Sequence, residues 1–238
     1  IRCRTCGTII KMPKENTVLT IDVGGDSLKM AEFVFPPGGA VMLRKFAFRK
    51  LEEQEGDNSA FAQAYNEMIA EHNFTARQVR LSLSGQSSFS RLSKLPSLLG
   101  NKSAIARVVE YEARQTVPYA MSEVVWDYQL IRHAWEDHRS EMQEDGSTIE
   151  ISEDHEEYEA LFVAVKTDQI VRYTDVIEDS GRKILSVEIA PVALFNAAKG
   201  TQLRDDECAL ILNIGGRGSN LMIADQNRVF IRPIPIGG

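Results

Sequence analysis

The sequence contains few cysteines, no long apolar run and no excess of positive charge. Three of its 238 residues are cysteine, too few for a disulfide framework, which indicates a reducing compartment. No apolar stretch approaches the roughly 20 residues that a membrane-spanning helix needs. The N-terminal residues also lack the charged-then-apolar pattern of a signal peptide. We therefore expect a protein of the cytoplasm.

The net charge of −7 excludes one large class of partner. A surface that binds phosphate backbones needs a basic patch, and no basic stripe is present, so nucleic acid is not expected as a partner. Much of the acidity lies between Glu136 and Glu159, where large apolar residues are few. That composition predicts a solvated or disordered surface loop rather than a metal site.

The first part of the chain alternates apolar and polar residues between turn-forming glycines and prolines. The pattern predicts strands at residues 18–23, 28–35 and 41–50, an amphipathic helix from Ser59 to His72, and a strand from Val79 to Gly85. The predicted order is therefore β, β, β, α, β.

Residues 89–158 are predicted to form a small α+β insertion. A helix starts at the cap candidate Ser103 and stops before Pro118, and a strand rich in β-branched and aromatic residues follows it. Strands and helices then alternate as the chain returns to the first lobe. Pro191 stands in the first turn of the last of these helices, where proline is tolerated.

The end of the chain repeats the layout of its beginning. The segments LTIDVGGDSLKMAEF and LILNIGGRGSNLMIA each read as strand, glycine turn and strand. Glycine permits positive φ and removes the side chain that would keep backbone N–H groups away from a phosphate. Either turn alone also fits an ordinary β-hairpin. The pair, placed at opposite ends of the chain, favours two facing phosphate loops.

Each turn offers polar groups beside its glycines. In both turns a serine hydroxyl stands where it can bond a phosphate, while Lys29 either neutralises charge or faces solvent. Asp22, which ends the first strand, is a candidate ligand for hydrated magnesium. The predicted nucleotide-binding residues are Asp22, Gly24, Gly25, Asp26, Ser27, Lys29, Asn213, Gly215, Gly216 and Ser219.

Longer stretches carry a family resemblance. TIDVGGDSLKMAEF resembles the first phosphate loop of the actin-like superfamily, and LILNIGGRGSNLMIADQNRVFIRPIPIGG resembles the second. FSRLSKLPSL and VEYEARQTVPYAMSEVVWDYQLI resemble the PilM family of type IV pilus assembly proteins, as does ALFVAVKTDQIVRYTDVIEDSGRKILSVEIAPVALFNAA. The resemblance extends from about Val18 to the end of the chain.

The resemblance implies an α/β protein with an actin-like, ribonuclease H-like fold and a small α+β inserted subdomain. The chain closes on Gly238 directly after a strand-like run, so we expect the second lobe to be truncated. The implied divisions are a partial zinc-ribbon-like segment at 1–16, a first lobe at 17–88 and 159–203, the insertion at 89–158, and the start of a second lobe at 204–238.

The resemblance also implies a function. Members of the family bind ATP with magnesium between the lobes. They hold the cytoplasmic tail of the inner-membrane protein PilN in a groove formed by the first lobe and the insertion. The chain would then act as a scaffold among other pilus platform proteins, at the inner face of the inner membrane, and reach the membrane only through partners.

Two positions depart from the family pattern and predict at most a weak ATPase. Asn213 stands where the family usually has an aspartate that orients magnesium-bound water. Asp26 brings negative charge toward the phosphates unless it turns away or binds magnesium. Alternative functions are an FtsA-like cell-division or secretion-system component, a phosphotransferase of the same superfold such as a sugar kinase, and a scaffold that binds no nucleotide.

The cysteines form one close pair and one isolated residue. Cys3 and Cys6 form a C-x-x-C knuckle like half of a small zinc ribbon. Because structural zinc needs four ligands, they would bind zinc only if another pair precedes Ile1. A redox dithiol and two incidental thiols are the alternatives. Cys208 is predicted to be a buried core residue.

Overall fold

The computed structural model describes residues 17–36, 38, 40–51, 59–95, 105–142, 148–204 and 207–238. The elements of the first lobe are β1 (Thr17–Val23), β2 (Ser27–Val34), β3 (Met42–Lys50), α1 (Ser59–His72) and β4 (Gln78–Leu83). The inserted elements are β5 (Ser88–Lys94), α2 (Ile105–Thr116), β6 (Val124–Met142) and β7 (Thr148–Lys166). The remaining elements are α3 (Thr167–Asp179), β8 (Lys183–Ile189), α4 (Ala190–Thr201), β9 (Ala209–Ile214), β10 (Ser219–Ala224) and β11 (Val229–Ile234).

The first lobe contains a five-stranded sheet in the order β3-β2-β1-β4-β8. β3, β2 and β1 are antiparallel, whereas β4 and β8 run parallel to β1. Alternate residues of these strands, such as Leu19, Ile21 and Leu81, are buried in one core together with Tyr65 of α1 and Ile177 of α3. The strand alternation and the helix period predicted from the sequence are confirmed here, because each element buries one side.

A buried carboxylate attaches the loop between α1 and β4 to the sheet. Glu32 of β2 is fully buried, and its Oε2 accepts hydrogen bonds from the backbone N–H groups of Thr75 at 2.7 Å and Ala76 at 2.8 Å. Its Oε1 lies 3.6 Å from Nη1 of Arg44. The negative charge is therefore balanced by a cation and by two peptide dipoles.

The inserted sheet has the order β5-β7-β6, with antiparallel neighbours. β5 pairs only with residues 159–165 of β7, whereas β6 and β7 pair with each other from Val124↔Lys166 to Met142↔Thr148. β7 thus continues through Lys166, beyond the boundary at 158 that the sequence indicated. Helix α2 buries Val109 and Ala113 against this sheet. Ser103 lies outside the described residues.

The prediction of a solvated or disordered loop at 136–159 is wrong for the described residues. Residues 131–142 and 148–159 form the outer part of a long β-ribbon in which the two strands pair with each other. Composition alone indicated a loop because the segment is acidic and poor in large apolar residues. The backbone pairing continues from the buried part of β6 and β7.

The third sheet is an antiparallel meander in the order β11-β10-β9. One face packs through Met222, Val229 and Ile231 against Phe195 of α4. The other face exposes Leu210, Leu212 and Ile214, among others. Cys208, expected to be buried, is exposed just before β9, so that prediction is wrong.

Helix α4 connects the first lobe to this third sheet. It begins at Ala190 with Pro191 in its first turn, as predicted. Within the described part of the chain, every helix is too short or too polar to span a bilayer.

Candidate functional site

The two glycine turns face each other across one cavity of about 620 Å³. The first turn follows β1 and is closed by a hydrogen bond from Gly24 N–H to the carbonyl of Ser27, at 2.8 Å. The second turn follows β9 and is closed from Gly215 N–H to the carbonyl of Gly218, at 3.1 Å. Since β1 and β9 belong to different sheets, the tertiary fold places the two turns together.

The turns also touch each other. A Cβ atom on Gly216 would overlap the carboxylate of Asp26, and one on Gly25 would lie 3.0 Å from Cβ of Arg217. A side chain at Gly216 would therefore have to displace the Asp26 carboxylate. Asp26 thus lies with its carboxylate against the facing turn.

Asp22 lies at the carboxyl end of β1 and lines the cavity. Its Oδ2 forms an ion pair with Nζ of Lys29 at 3.0 Å, and its Oδ1 accepts a hydrogen bond from the hydroxyl of Ser82 at 3.3 Å. Lys29 therefore neutralises charge at the cavity wall rather than facing solvent alone. In the register of the sheet, Ser82 stands between Asp22 and Glu188, a carboxylate that the sequence did not single out.

The two serines lie behind the turns. Ser27 is 5% exposed and Ser219 is 7% exposed. The hydroxyl of Ser219 donates to the carbonyl of Ile236 at 2.7 Å. In this arrangement both serines take part in hydrogen bonds that stabilise the turns, Ser27 through its carbonyl and Ser219 through its hydroxyl.

The side-chain amides of two asparagines lie on the part of the cavity wall that β9 and β10 form. Asn213 of β9 and Asn220 of β10 are directly opposed in register, and both line the cavity. Asn220 is 5% exposed, and its Oδ1 has no hydrogen-bond partner. The sequence reasoning missed Asn220. Its position immediately after Ser219, at the start of the returning strand, was the available signal.

A third segment closes the cavity, between the two turns. Gly85 and Gln86 line it from the link between β4 and β5. A Cβ atom on Gly85 would lie 2.6 Å from Oδ1 of Asn220. Only the fold shows this contact, because residues 85 and 220 are far apart in the chain.

The charges of the lining suit a polyphosphate. Lys29, Arg172 and Arg217 contribute positive charge, and Asp22 supplies the one carboxylate among the described lining residues. Backbone N–H groups of glycine turns and nearby cations favour phosphate oxygens. Magnesium keeps several waters and often takes only one or two protein carboxylates, so Asp22 fits a metal that is shared with phosphate.

The predicted site residues fall into three groups. The residues that line the cavity are Asp22, Gly24, Gly25, Lys29, Asn213, Gly215 and Gly216. Asp26, Ser27 and Ser219 support the turns from outside the lining. Cys3 and Cys6 lie outside the described residues. Among the residues that are described, no group of three or more histidine, cysteine or acidic side chains is arranged to hold a metal ion.

The family model described as type IV pilus assembly protein PilM matches residues 20–238. No curated protein sequence matches the chain. Among solved structures, a chain of the PilM-PilN type IV pilus biogenesis complex is similar with a TM-score of 0.73 and 18% identity, over 95% of this chain and 63% of that chain. This chain therefore spans less than two thirds of that relative.

Two further solved structures are similar. The cytoplasmic domain of EpsL, an inner-membrane component of the Vibrio cholerae type II secretion system, has a TM-score of 0.50 and 10% identity, over 91% of this chain and 71% of that chain. A Bacteroides thetaiotaomicron protein with an actin-like ATPase fold and unknown function has a TM-score of 0.51 and 6% identity, over 98% and 75%. At these identities the likenesses show the fold, which is actin-like.

Proposed function

This chain belongs to the PilM family of type IV pilus assembly proteins, and from that premise we propose that it is a nucleotide-binding scaffold of a pilus platform. It binds ATP with magnesium between its two glycine turns. In that state it recruits the cytoplasmic tail of a PilN-like inner-membrane protein, and through this partner it joins other platform proteins at the inner face of the membrane.

One observation carries the proposal. Two glycine turns from different sheets line one cavity, and they approach so closely that a Cβ atom on Gly216 would overlap the carboxylate of Asp26. An ordinary hairpin needs glycine for its backbone conformation but not for contact with a second hairpin. Two facing turns with Lys29 nearby provide donors and positive charge on both sides of a phosphate chain.

The site is better suited to a switch than to rapid turnover. Asn213 places a neutral amide where a carboxylate would orient a metal-bound water, and Asn220 opposite it is neutral too. The bound nucleotide would thus persist, and its presence would set the affinity for the partner.

The proposed partner follows from the family and from the similar complex. The solved relative is a chain of a complex between PilM and PilN. This chain retains both regions between which the family holds the PilN tail, the first lobe and the inserted sheet. We therefore assign it a PilN-like partner of the same membrane platform.

Calorimetric titration with ATP and magnesium tests the nucleotide site. We expect wild type to bind, and Gly216→Ala to lose at least tenfold in affinity, about 1.4 kcal/mol, because the new methyl displaces Asp26 and separates the turns. Gly200→Ala is the matched control, since its Cβ meets no atom within 4 Å. Equal affinities of the two variants would place the nucleotide elsewhere.

The same titration with the tail peptide of the PilN-like protein tests the partner. Binding of both ligands, with each changing the affinity for the other, supports the switch. If the affinity for the peptide does not depend on nucleotide, the chain is a scaffold without a switch. If neither ligand binds, the proposed function is wrong.

A further inference from the structure

Gln86 occupies the junction between the first lobe and the inserted sheet. It lies in a 3-10 turn, Gly85–Ser87, that joins the end of β4 to the start of β5. The preceding strand, β4, pairs with β1, which leads into the first glycine turn. The following strand, β5, pairs with β7 of the inserted sheet.

The side chain of Gln86 reaches across to the second glycine turn. Its Nε2 donates to the carbonyl of Ser219 at 3.1 Å and to the carbonyl of Ile234 at 3.3 Å. Ser219 and Ile234 are register partners at the base of the β10–β11 hairpin. A Cβ atom on Gly218 would lie 2.6 Å from Cδ of Gln86, so the amide packs directly on this turn.

The turn that carries Gln86 has several internal hydrogen bonds. Ser87 N–H donates to the carbonyl of Ser84 at 3.0 Å, and the hydroxyl of Ser88 donates to the carbonyl of Gly85 at 3.2 Å. Gly85 is in turn confined by Asn220, as described above. A displacement of the second glycine turn would therefore move Gln86 and the start of β5 with it.

We infer that Gln86 couples occupancy of the second glycine turn to the position of the inserted sheet, and so to the affinity for the membrane partner. A phosphate that is bound at residues 215–218 fixes that turn. The Gln86 amide is bonded to Ser219, the residue that follows this turn, so it is fixed as well. β5 begins two residues after Gln86. This inference rests on the proposed function, whose nucleotide and peptide sites it connects.

Gln86→Met isolates the two hydrogen bonds. Methionine has a similar length and no charge, so it retains much of the packing but cannot donate. Gln226→Met is the matched control. Gln226 also donates through Nε2 to a backbone carbonyl, that of Leu203, but it lies at the far turn of the same hairpin.

Affinities for magnesium-ATP and for the PilN-like tail peptide are measured singly and together. We expect the wild type and Gln226→Met to show a coupling factor of about fivefold or more. The coupling factor is a ratio taken within each variant, so any change that Gln86→Met makes to nucleotide binding alone cancels, and we expect the factor to fall below about twofold. Full coupling in Gln86→Met overturns the inference. A wild type that does not bind nucleotide overturns the proposed function instead.

Hydrogen exchange measured without ligand tests the connection between the second glycine turn and β5 independently of nucleotide binding. In Gln86→Met we expect amides both in residues 215–221 and at the start of β5 to exchange roughly fivefold faster, as the loss of a hydrogen bond predicts. Gln226→Met should leave β5 unchanged. Unchanged exchange of β5 in Gln86→Met would show that no such link exists.

Discussion

At the scale of single residues, several polar side chains act by fastening backbone segments that are distant in the chain. Glu32 bonds the loop before β4, Ser219 bonds Ile236, and Gln86 bonds both strands of the second hairpin. Glu32 and Ser219 are buried, so each of their bonds that is lost leaves a donor or acceptor away from water, whereas Gln86 is exposed. Substitutions of Glu32 and Ser219 should therefore have larger effects on stability than those at the exposed ion pairs.

Glu32→Ala should lower the free energy of unfolding by about 3 kcal/mol, because two backbone donors lose their acceptor in a buried site. Glu71→Ala is the control. Its carboxylate pairs with Arg49 at 2.6 Å but is 55% exposed, so we expect a loss below about 1 kcal/mol. Urea unfolding of both variants measures the difference. Similar losses would show that Glu32 has no special structural role.

The carboxyl of Asp225, in the turn between β10 and β11, makes the stability of the fold depend on pH. Partial burial tends to raise the pKa of its carboxyl, but hydrogen bonds from the backbone N–H groups of Asn227 and Arg228, and the Arg228 guanidinium, hold the pKa below its ordinary value. A lowered folded-state pKa stabilises the fold above the unfolded pKa of about 3.9, and this contribution disappears as pH falls through the folded value.

Asp225→Asn keeps the acceptor and removes the charge. At pH 7 we expect it to be less stable than wild type by about 0.5–1 kcal/mol, the scale of one charge-assisted bond in a partly exposed turn. The difference should shrink as pH falls below about 4 and through the lower folded-state pKa, where the wild-type carboxyl becomes protonated in the folded protein. Denaturant unfolding across pH measures the gap. A gap that is independent of pH would contradict the assignment.

At the scale of elements, the paired strands β6 and β7 have an inner part and an outer part that differ in what supports them. Near β5 they belong to a three-stranded sheet with α2 on it. From the pair Arg132↔Tyr158 outward along the ribbon, in the part that the structure describes, β6 and β7 pair only with each other. Two-stranded hairpins are marginal by themselves.

Replacing residues 134–156 by an Asn-Gly turn should therefore leave the thermal midpoint within a few degrees of wild type. The contrasting variant is Phe162→Ala in the inner part of β7, where the ring is fully buried. We expect that variant to lose about 3–5 kcal/mol. Calorimetry compares the two. A large loss on shortening the ribbon would show that its outer part contributes to the core.

At the scale of the whole molecule, the cavity depends on three segments that come from separate parts of the chain. Asp22 to Lys29 span the turn between β1 and β2, Gly85 and Gln86 follow β4, and Asn213 to Asn220 span the turn between β9 and β10. The bonds from Gln86 to the third sheet connect the last two segments. A change at any one turn is consequently felt by the others.

Much of the fold could be predicted from the sequence. Strand alternation predicted β1 to β4 within a residue or two, since those strands bury one face and leave the other more polar. The outer ribbon could not be predicted in this way. Its pairing is determined by residues on the partner strand, and its composition indicates only that it is acidic.

The residues of the candidate site likewise fall into those that the sequence predicted and those that it missed. The glycine turns could be predicted because the same layout of strand, glycine pair and strand occurs at both ends of the chain. Asn220, Gly85 and Gln86 were missed because their roles exist only where distant segments meet. Ser27 and Ser219 were expected to face phosphate, but the structure buries both. A hydroxyl beside a turn can point to either side, and only packing decides which.

By itself, the sequence determined where β1 to β4, α1 and the two glycine turns lie, because those choices follow from local backbone preference and from apolar periodicity. Only the tertiary structure decided that the two turns face one cavity, that Asp26 lies against Gly216, and that Gln86 joins the second turn to the inserted sheet. These contacts arise when separate sheets bury their apolar faces together, and no local pattern in the chain encodes that distance.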